Sequence, residues 1–164
     1  MRSTLRSFVR LAALPLVAAC VTPPADTAIL EVTPATEVAD LLATDRAFAA
    51  AAADRDGIVA LTAMFAPNVI MPVPGNRFAE GAVQASEALA ANPDNARSTL
   101  DWVPVRGGIS ADGQHGFTYG HMTMLKRDGT MVPLKYLSYW INRPEGWRVA
   151  AYKRRPRPAG EVSM

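Results

Sequence analysis

The residue most suggestive of chemistry is Asp45, a lone carboxylate in the middle of an apolar helical stripe. Leu42 and Ala49 stand three residues before and four residues after it, so all three share one face of a helix. A carboxylate on such a face is costly to bury unless another group pairs with it. Asp45 is then either a pocket carboxylate that acts as acid, base or ligand anchor, or a structural group that fixes the helix on a sheet.

Several side chains of the second half of the chain could pair with this carboxylate. Tyr119 and His121 are two residues apart and share a strand face, and a His beside a Tyr can move protons at neutral pH. Lys135 and Tyr139 share a face of another strand, but the sequence leaves open whether that face lines a pocket or meets solvent. The candidate catalytic residues are Asp45, His121 and Tyr119, and the candidate pocket comprises Asp45, Tyr119, His121, Lys135, Tyr139 and Tyr152.

The sequence contains no motif for a metal or a cofactor. His115 and His121 lie on one predicted strand with no acidic cluster near them in the sequence, so we expect no metal site. A Gly-rich phosphate loop and a nucleophile elbow are both absent, and we expect no cofactor.

The elements that must position these residues fall into two groups along the chain. Apolar spacing predicts helices over residues 37–54, 58–65 and 82–91, with a short strand at 68–71. From residue 99 onward the apolar period changes to two, which predicts strands near 99–106, 114–126, 131–142 and 147–154. Helices first and strands afterwards indicate an α+β fold with an antiparallel sheet.

The last two predicted strands form the most aromatic part of the sheet. Residues 131–155 carry five of the twelve aromatic rings of the chain, on either side of a polar break at 142–146. This pattern predicts a long β-hairpin, and an aromatic ribbon of this kind needs a cover on one face. We expect the helices to provide that cover.

The first nineteen residues resemble a signal peptide. Three arginines precede an apolar run at 11–19 that is too short to cross a bilayer, and the run ends at Cys20, the only cysteine. The order of these features resembles the lipobox of bacterial lipoproteins, in which the cysteine is acylated. This predicts a cell-envelope protein that is lipid-anchored at Cys20, and Val21 after the cysteine implies the periplasmic face of the outer membrane. An ordinary cleaved signal and a buried free thiol are the alternatives.

Removing the signal changes the charge balance. Three of the 17 basic residues are lost, which leaves 14 against 15 acidic residues, so the mature chain gives no argument for nucleic-acid binding. The domain boundaries follow: a signal peptide at 1–19, the lipidated Cys20 with a flexible linker to residue 36, a folded domain at 37–155 and a loose tail at 156–164. The basic run 153–158 is interpreted as a solubilising edge, with membrane contact as the alternative.

Five stretches in order resemble the DUF4440 branch of the NTF2-like (SnoaL-like) superfamily: residues 42–48, 65–68, 116–120, 135–140 and 146–149. The resemblance implies a cone, in which a strongly curved antiparallel sheet wraps over the N-terminal helices and a pocket opens at the wide end. It also implies a homodimer through the outer face of the sheet. The acids that ketosteroid isomerases of this superfamily use are absent here from residues 69–75 and 131–142, which argues against that chemistry.

These observations lead to three expectations about function. The first is that the cone pocket binds a small apolar or amphipathic molecule without a strong catalytic role. The second is a lyase, isomerase or hydrolase in which Asp45 works with a Tyr, His or Lys partner. The third is a dimeric structural or accessory protein whose interior is filled by side chains.

Overall fold

The computed structural model of the chain describes residues 35–160, which form an α+β domain. The helices are α1 (Ala35–Ala52), α2 (Gly57–Thr62) and α3 (Ala82–Ala90), followed by a 3-10 turn at Pro93–Asn95. The strands are β1 (Phe65–Pro72), β2 (Phe78–Glu80), β3 (Thr99–Ile109), β4 (His115–Leu125), β5 (Met131–Arg143) and β6 (Gly146–Pro156). The predicted signal peptide and Cys20 lie outside the described residues. Within residues 35–160, no helix is both long enough and apolar enough to cross a bilayer.

All six strands form one curved sheet in the order β2-β1-β6-β5-β4-β3. Strands β3 to β6 are a simple antiparallel succession, as the alternation of the sequence predicts. The prediction of a purely antiparallel sheet was wrong at one place, because β1 pairs with β6 in parallel. A long connection permits this parallel pairing, since the rest of the domain lies between the two strands.

The boundaries differ from the sequence-based ones where strands are short or charged. The three-residue strand β2 was not predicted, because three residues carry no measurable alternation. The second helix ends at Thr62, and β1 already begins at Phe65. The last strand, predicted near 147–154, extends to Pro156 and so takes in the first part of the basic run 153–158. The sheet therefore ends one residue beyond the predicted domain limit.

The two faces of the sheet have different surroundings. The face that the helices cover is called the inner face here, and the opposite face is called the outer face. The inner face carries much of the core: Leu100, Trp102, Met122, Met124, Leu134, Tyr136, Trp140 and Tyr152 are all at most 5% exposed. The alternation of buried and exposed residues is regular along β4 and β5, so the period of two specifies which side chains reach the core.

Helix α1 lies against the inner face, and glycine makes its close approach possible. A β-carbon at Gly116 of β4 would stand 2.6 Å from the Leu41 side chain of α1 and 2.9 Å from the carbonyl oxygen of Gly108. Farther along α1, the ring of Phe48 packs at 6.1 Å from that of Trp140. These contacts set the depth at which the helix sits, and they bring Asp45 over the middle of the sheet.

Candidate functional site

Asp45 is fully buried between α1 and the sheet, and both of its carboxylate oxygens are occupied. The indole Nε1 of Trp102 on β3 donates to Oδ1 at 2.8 Å, and the hydroxyl of Tyr136 on β5 donates to Oδ2 at 2.8 Å. Within residues 35–160, no Lys, Arg or His lies within ion-pair distance of this carboxylate. Two charge-assisted hydrogen bonds from neutral donors therefore compensate the cost of burying the carboxylate.

The surroundings keep Tyr136 in its protonated form. Burial is the largest cause that raises the pKa of its phenol, and the negative charge of Asp45 raises that pKa further. The phenol therefore remains a hydrogen-bond donor at physiological pH. Trp140 makes a second polar contact on this face, because its Nε1 donates to the Thr118 hydroxyl at 2.8 Å. Each of these aromatic groups has an apolar body in the core and a polar end that is satisfied.

The other predicted pocket residues do not gather around Asp45. Tyr119, His121, Lys135 and Tyr139 all project from the outer face. This placement corrects the expectation that they share a pocket with the carboxylate, and the open question about Lys135 is answered by an exposed position. The cause is the alternation of side chains along a strand. Tyr136 and Trp140 of β5 face inward, so Lys135 and Tyr139, at the alternate positions, face outward.

His121 occupies a partly covered position on the outer face. Its Nδ1 is buried without a hydrogen-bond partner among the described residues. Burial first, and then the positive charge of Arg157, hold the pKa of His121 below its ordinary value. The imidazole is therefore neutral at pH 7, and the residue opposite it on β5 is Lys135.

Tyr152 is the predicted residue that reaches an open cavity. Its side chain is 2% exposed, and burial raises the pKa of its phenol well above the ordinary range. Its hydroxyl contacts the sulfur of Met122 at 3.8 Å. It also lines a cleft of about 810 Å³ between α3, the β1–β2 hairpin and β6. Asp45 does not line this cleft, so the pocket and the buried carboxylate are separate features.

The cleft has a mixed lining of apolar and polar side chains. Its apolar lining includes Met71, Val73, Phe78, Ala79, Ala88 and Leu89. Its polar lining comes from the β1–β2 hairpin, α3, β6 and the 3-10 turn: Arg77, Gln84, Glu87, Asn92, Asn95, Lys153 and Arg154. Arg154 donates through Nη2 to Asn95 Oδ1 at 2.6 Å, and Lys153 donates through Nζ to the carbonyl of Pro72 at 3.1 Å.

Sequence reasoning missed Arg154, although a signal for it was present. It was grouped with a charged run at the end of the domain, yet it alternates with Lys153 and Arg155 along a strand. Alternation turns its side chain toward the inner face, beside Tyr136 on β5. Residues 35–160 contain no group of three or more His, Cys, Asp or Glu that could hold a metal ion.

Comparison with known proteins reveals the fold. No protein-family model matches the sequence. No curated protein matches it either. Among solved structures, a ketosteroid isomerase-like protein from Erwinia carotovora atroseptica superimposes with a TM-score of 0.55 at 15% identity, over 73% of this chain and 96% of the other.

Two structures with a cystatin-like fold from Nostoc punctiforme are also similar. One superimposes with a TM-score of 0.55 at 12% identity, over 71% of this chain and 77% of the other. The second has a TM-score of 0.53 at 12% identity, over 73% of this chain and 92% of the other. At such identities the likeness concerns the fold and not the activity. Together with the six-stranded curved sheet and its three helices, these neighbours show that the domain has an NTF2-like, ketosteroid isomerase-like α+β fold.

Proposed function

We propose that this protein binds a small apolar or amphipathic molecule in the cleft between α3, the β1–β2 hairpin and β6. The observation that carries the proposal is the cleft itself. Its volume of about 810 Å³ lies in the range of small-molecule pockets, roughly 300–1,000 Å³. Its lining combines apolar side chains with a limited number of polar and charged groups, as small-molecule pockets usually do.

The position of Asp45 favours binding over catalysis by this residue. A general acid or base must reach the substrate proton directly or through one water molecule. Asp45 is fully buried, has both oxygens engaged and does not line the cleft. Its geometry supports the structural interpretation, in which the carboxylate fixes α1 on the sheet. The lyase, isomerase or hydrolase alternative would need a proton-transferring group from elsewhere.

The test uses a neutral fluorescent probe, Nile red, with the full chain. Ala88 of α3 lines the cleft and is half-buried, so Ala88→Trp should fill part of the cavity and weaken probe binding at least about tenfold. Ala90 of the same helix is exposed and does not line the cleft, so Ala90→Trp is the matched control and should bind as the unmodified protein does. Equal affinities for all three proteins would contradict the proposal.

The exposed apolar residues of the outer face support a homodimer, which we include in the proposal. Val103, Phe117, Tyr119, Leu137 and Tyr139 are each at least 40% exposed, and they lie on the three adjacent strands β3, β4 and β5. A contiguous apolar patch on a sheet is typical of a protein contact. Light scattering should give a dimer for the unmodified protein and a monomer for Leu137→Asp. A monomeric unmodified protein would contradict this part of the proposal.

The cellular placement rests on the sequence alone. We propose that the domain is DUF4440-type (SnoaL-like) and is carried on a lipoprotein, anchored through Cys20 to the periplasmic face of the outer membrane. Support comes from the arginine-rich leader, the apolar run and the position of the cysteine. Cys20→Ser should move the protein from the membrane fraction to the soluble fraction. Continued membrane fractionation of that variant would show that acylation at Cys20 is not the anchor.

A further inference from the structure

Arg154 is a cation without a counter-ion. Its side chain is half-buried on the inner face, and its Nη2 is bonded to Asn95, but its Nη1 is buried and has no hydrogen-bond partner. Within residues 35–160 the ion pair formed is that of Lys126 with Asp94, so no carboxylate neutralises Arg154. Leaving a guanidinium donor buried and unpaired costs free energy, and the charge of a nearby bound anion would offset part of that cost.

Asn95 fixes the orientation of this guanidinium. Asn95 is 4% exposed, and its Nδ2 donates to the carbonyl of Leu89 at 2.7 Å. Because the amide nitrogen must face that carbonyl, the amide oxygen must face Arg154. One edge of the guanidinium is thus held by a rigid neutral acceptor. Such preorganisation reduces the entropy lost when the remaining donors bind a ligand.

The charge of the cleft also favours an anionic ligand. Its lining contains three cations, Arg77, Lys153 and Arg154, and one acidic residue, Glu87. Lys153 is bonded to a neutral carbonyl, and Arg154 to a neutral amide. Positive charge is therefore in excess in a concave site that also has apolar side chains in its lining, and such a site favours molecules with one anionic end.

We propose that the ligand of the cleft is an amphipathic carboxylate, with the carboxylate on Arg154 and the apolar body along Met71, Val73 and Phe78. This inference rests on the proposed binding function and adds the chemical class of the ligand. Arg154 lines the cleft and carries a full positive charge, and charge-assisted bonds between a carboxylate and a guanidinium are among the stronger polar contacts in proteins. The apolar body displaces water from the walls formed by β1 and β2.

The test compares decanoate with decanol, two probes of the same chain length that differ in the charged end. Displacement of Nile red from the full chain should give a Kd for decanoate that is at least about tenfold lower than that for decanol. Arg154→Met should remove this preference, because it should weaken decanoate binding far more than decanol binding. Arg155→Met is the matched control, because Arg155 is the next residue, is exposed and carries the same charge. That variant should keep the preference.

The outcomes separate the two proposals. Equal affinities of the unmodified protein for decanoate and decanol would overturn the carboxylate assignment while leaving the cleft as a binding site. A preference that persists in Arg154→Met would overturn the role of Arg154. Failure of both probes to displace Nile red, or displacement that Ala88→Trp does not weaken, would overturn the proposed function itself. The first comparison needs no variant, so it decides the matter even if Arg154→Met does not fold.

Discussion

The buried carboxylate offers the sharpest test of how this fold is held together. Asp45→Ala would leave the Trp102 indole and the Tyr136 hydroxyl without acceptors in the core. Each orphaned donor costs roughly 1–3 kcal/mol, and the removed side chain leaves a small void, while loss of the buried charge recovers part of the cost. We expect the free energy of unfolding to fall by about 3–5 kcal/mol, measured by urea titration with tryptophan fluorescence.

Asp45→Asn is the informative companion variant. Its amide oxygen can still accept from Trp102, while its amide nitrogen meets Tyr136, whose hydroxyl can accept as well as donate. We expect a smaller loss of about 1–2 kcal/mol.

Tyr136→Phe separates the hydrogen bond from the packing of the ring. In a double-mutant cycle with Asp45→Ala, the two changes should be non-additive by about 1–3 kcal/mol. A loss below about 1 kcal/mol for Asp45→Ala, or simple additivity in the cycle, would refute the view that this carboxylate fixes α1 on the sheet.

Two further variants test other features of the domain. Because the pKa of folded His121 lies below the ordinary value of about 6.5, the unfolded chain binds more protons in mild acid. The neutral imidazole therefore contributes its full stabilisation at pH values above about 6.5, and this contribution declines as the pH falls. Between about pH 7.5 and about pH 5.5, His121→Gln should lose less stability than the unmodified protein. Gly120→Ala should destabilise the domain by more than about 3 kcal/mol, because the new β-carbon would overlap the carbonyl oxygen of Val103. Circular dichroism during thermal and urea unfolding measures both.

Each of these variants has its own control. Above about pH 7.5 the unmodified protein and His121→Gln should change stability in parallel, and parallel behaviour in mild acid as well would contradict the sign of the shift. Gly108→Ala meets the side chain of Phe117, which is 43% exposed and can move aside. A loss as large for Gly108→Ala as for Gly120→Ala would show that backbone overlap is not the cause.

The sequence was informative wherever its pattern was periodic. Alternation over 131–142 and 147–154 located β5 and β6 to within two residues, because side chains on a pleated strand must alternate between core and solvent. Helical spacing likewise placed Asp45 on the buried face of α1. What the pattern could not show is which of two equally aromatic strand faces the helix would cover.

That ambiguity explains why the partners of Asp45 were not identified. Tyr139 and Lys135 were among the candidates, yet one donor is Tyr136, at an alternate position of the same strand, and the other is Trp102 on β3. A buried indole and a buried phenol each need an acceptor, and a buried carboxylate needs donors, so matching these needs would have favoured the correct face. Arg154 was missed because a run of charges suggests solvent even when a strand turns alternate members inward.

The place of β6 in the sheet affects the order in which the domain can assemble. It lies between β1 and β5, although it is the last strand along the chain. During synthesis β3, β4 and β5 can pair as soon as they emerge, while β1 and β2 have no neighbour on that side until residues 146–156 leave the ribosome. A ribosome stalled before that point would hold a nascent chain in which the edges of β1 and β5 are unpaired. Unpaired strand edges of this kind can bind chaperones or aggregate.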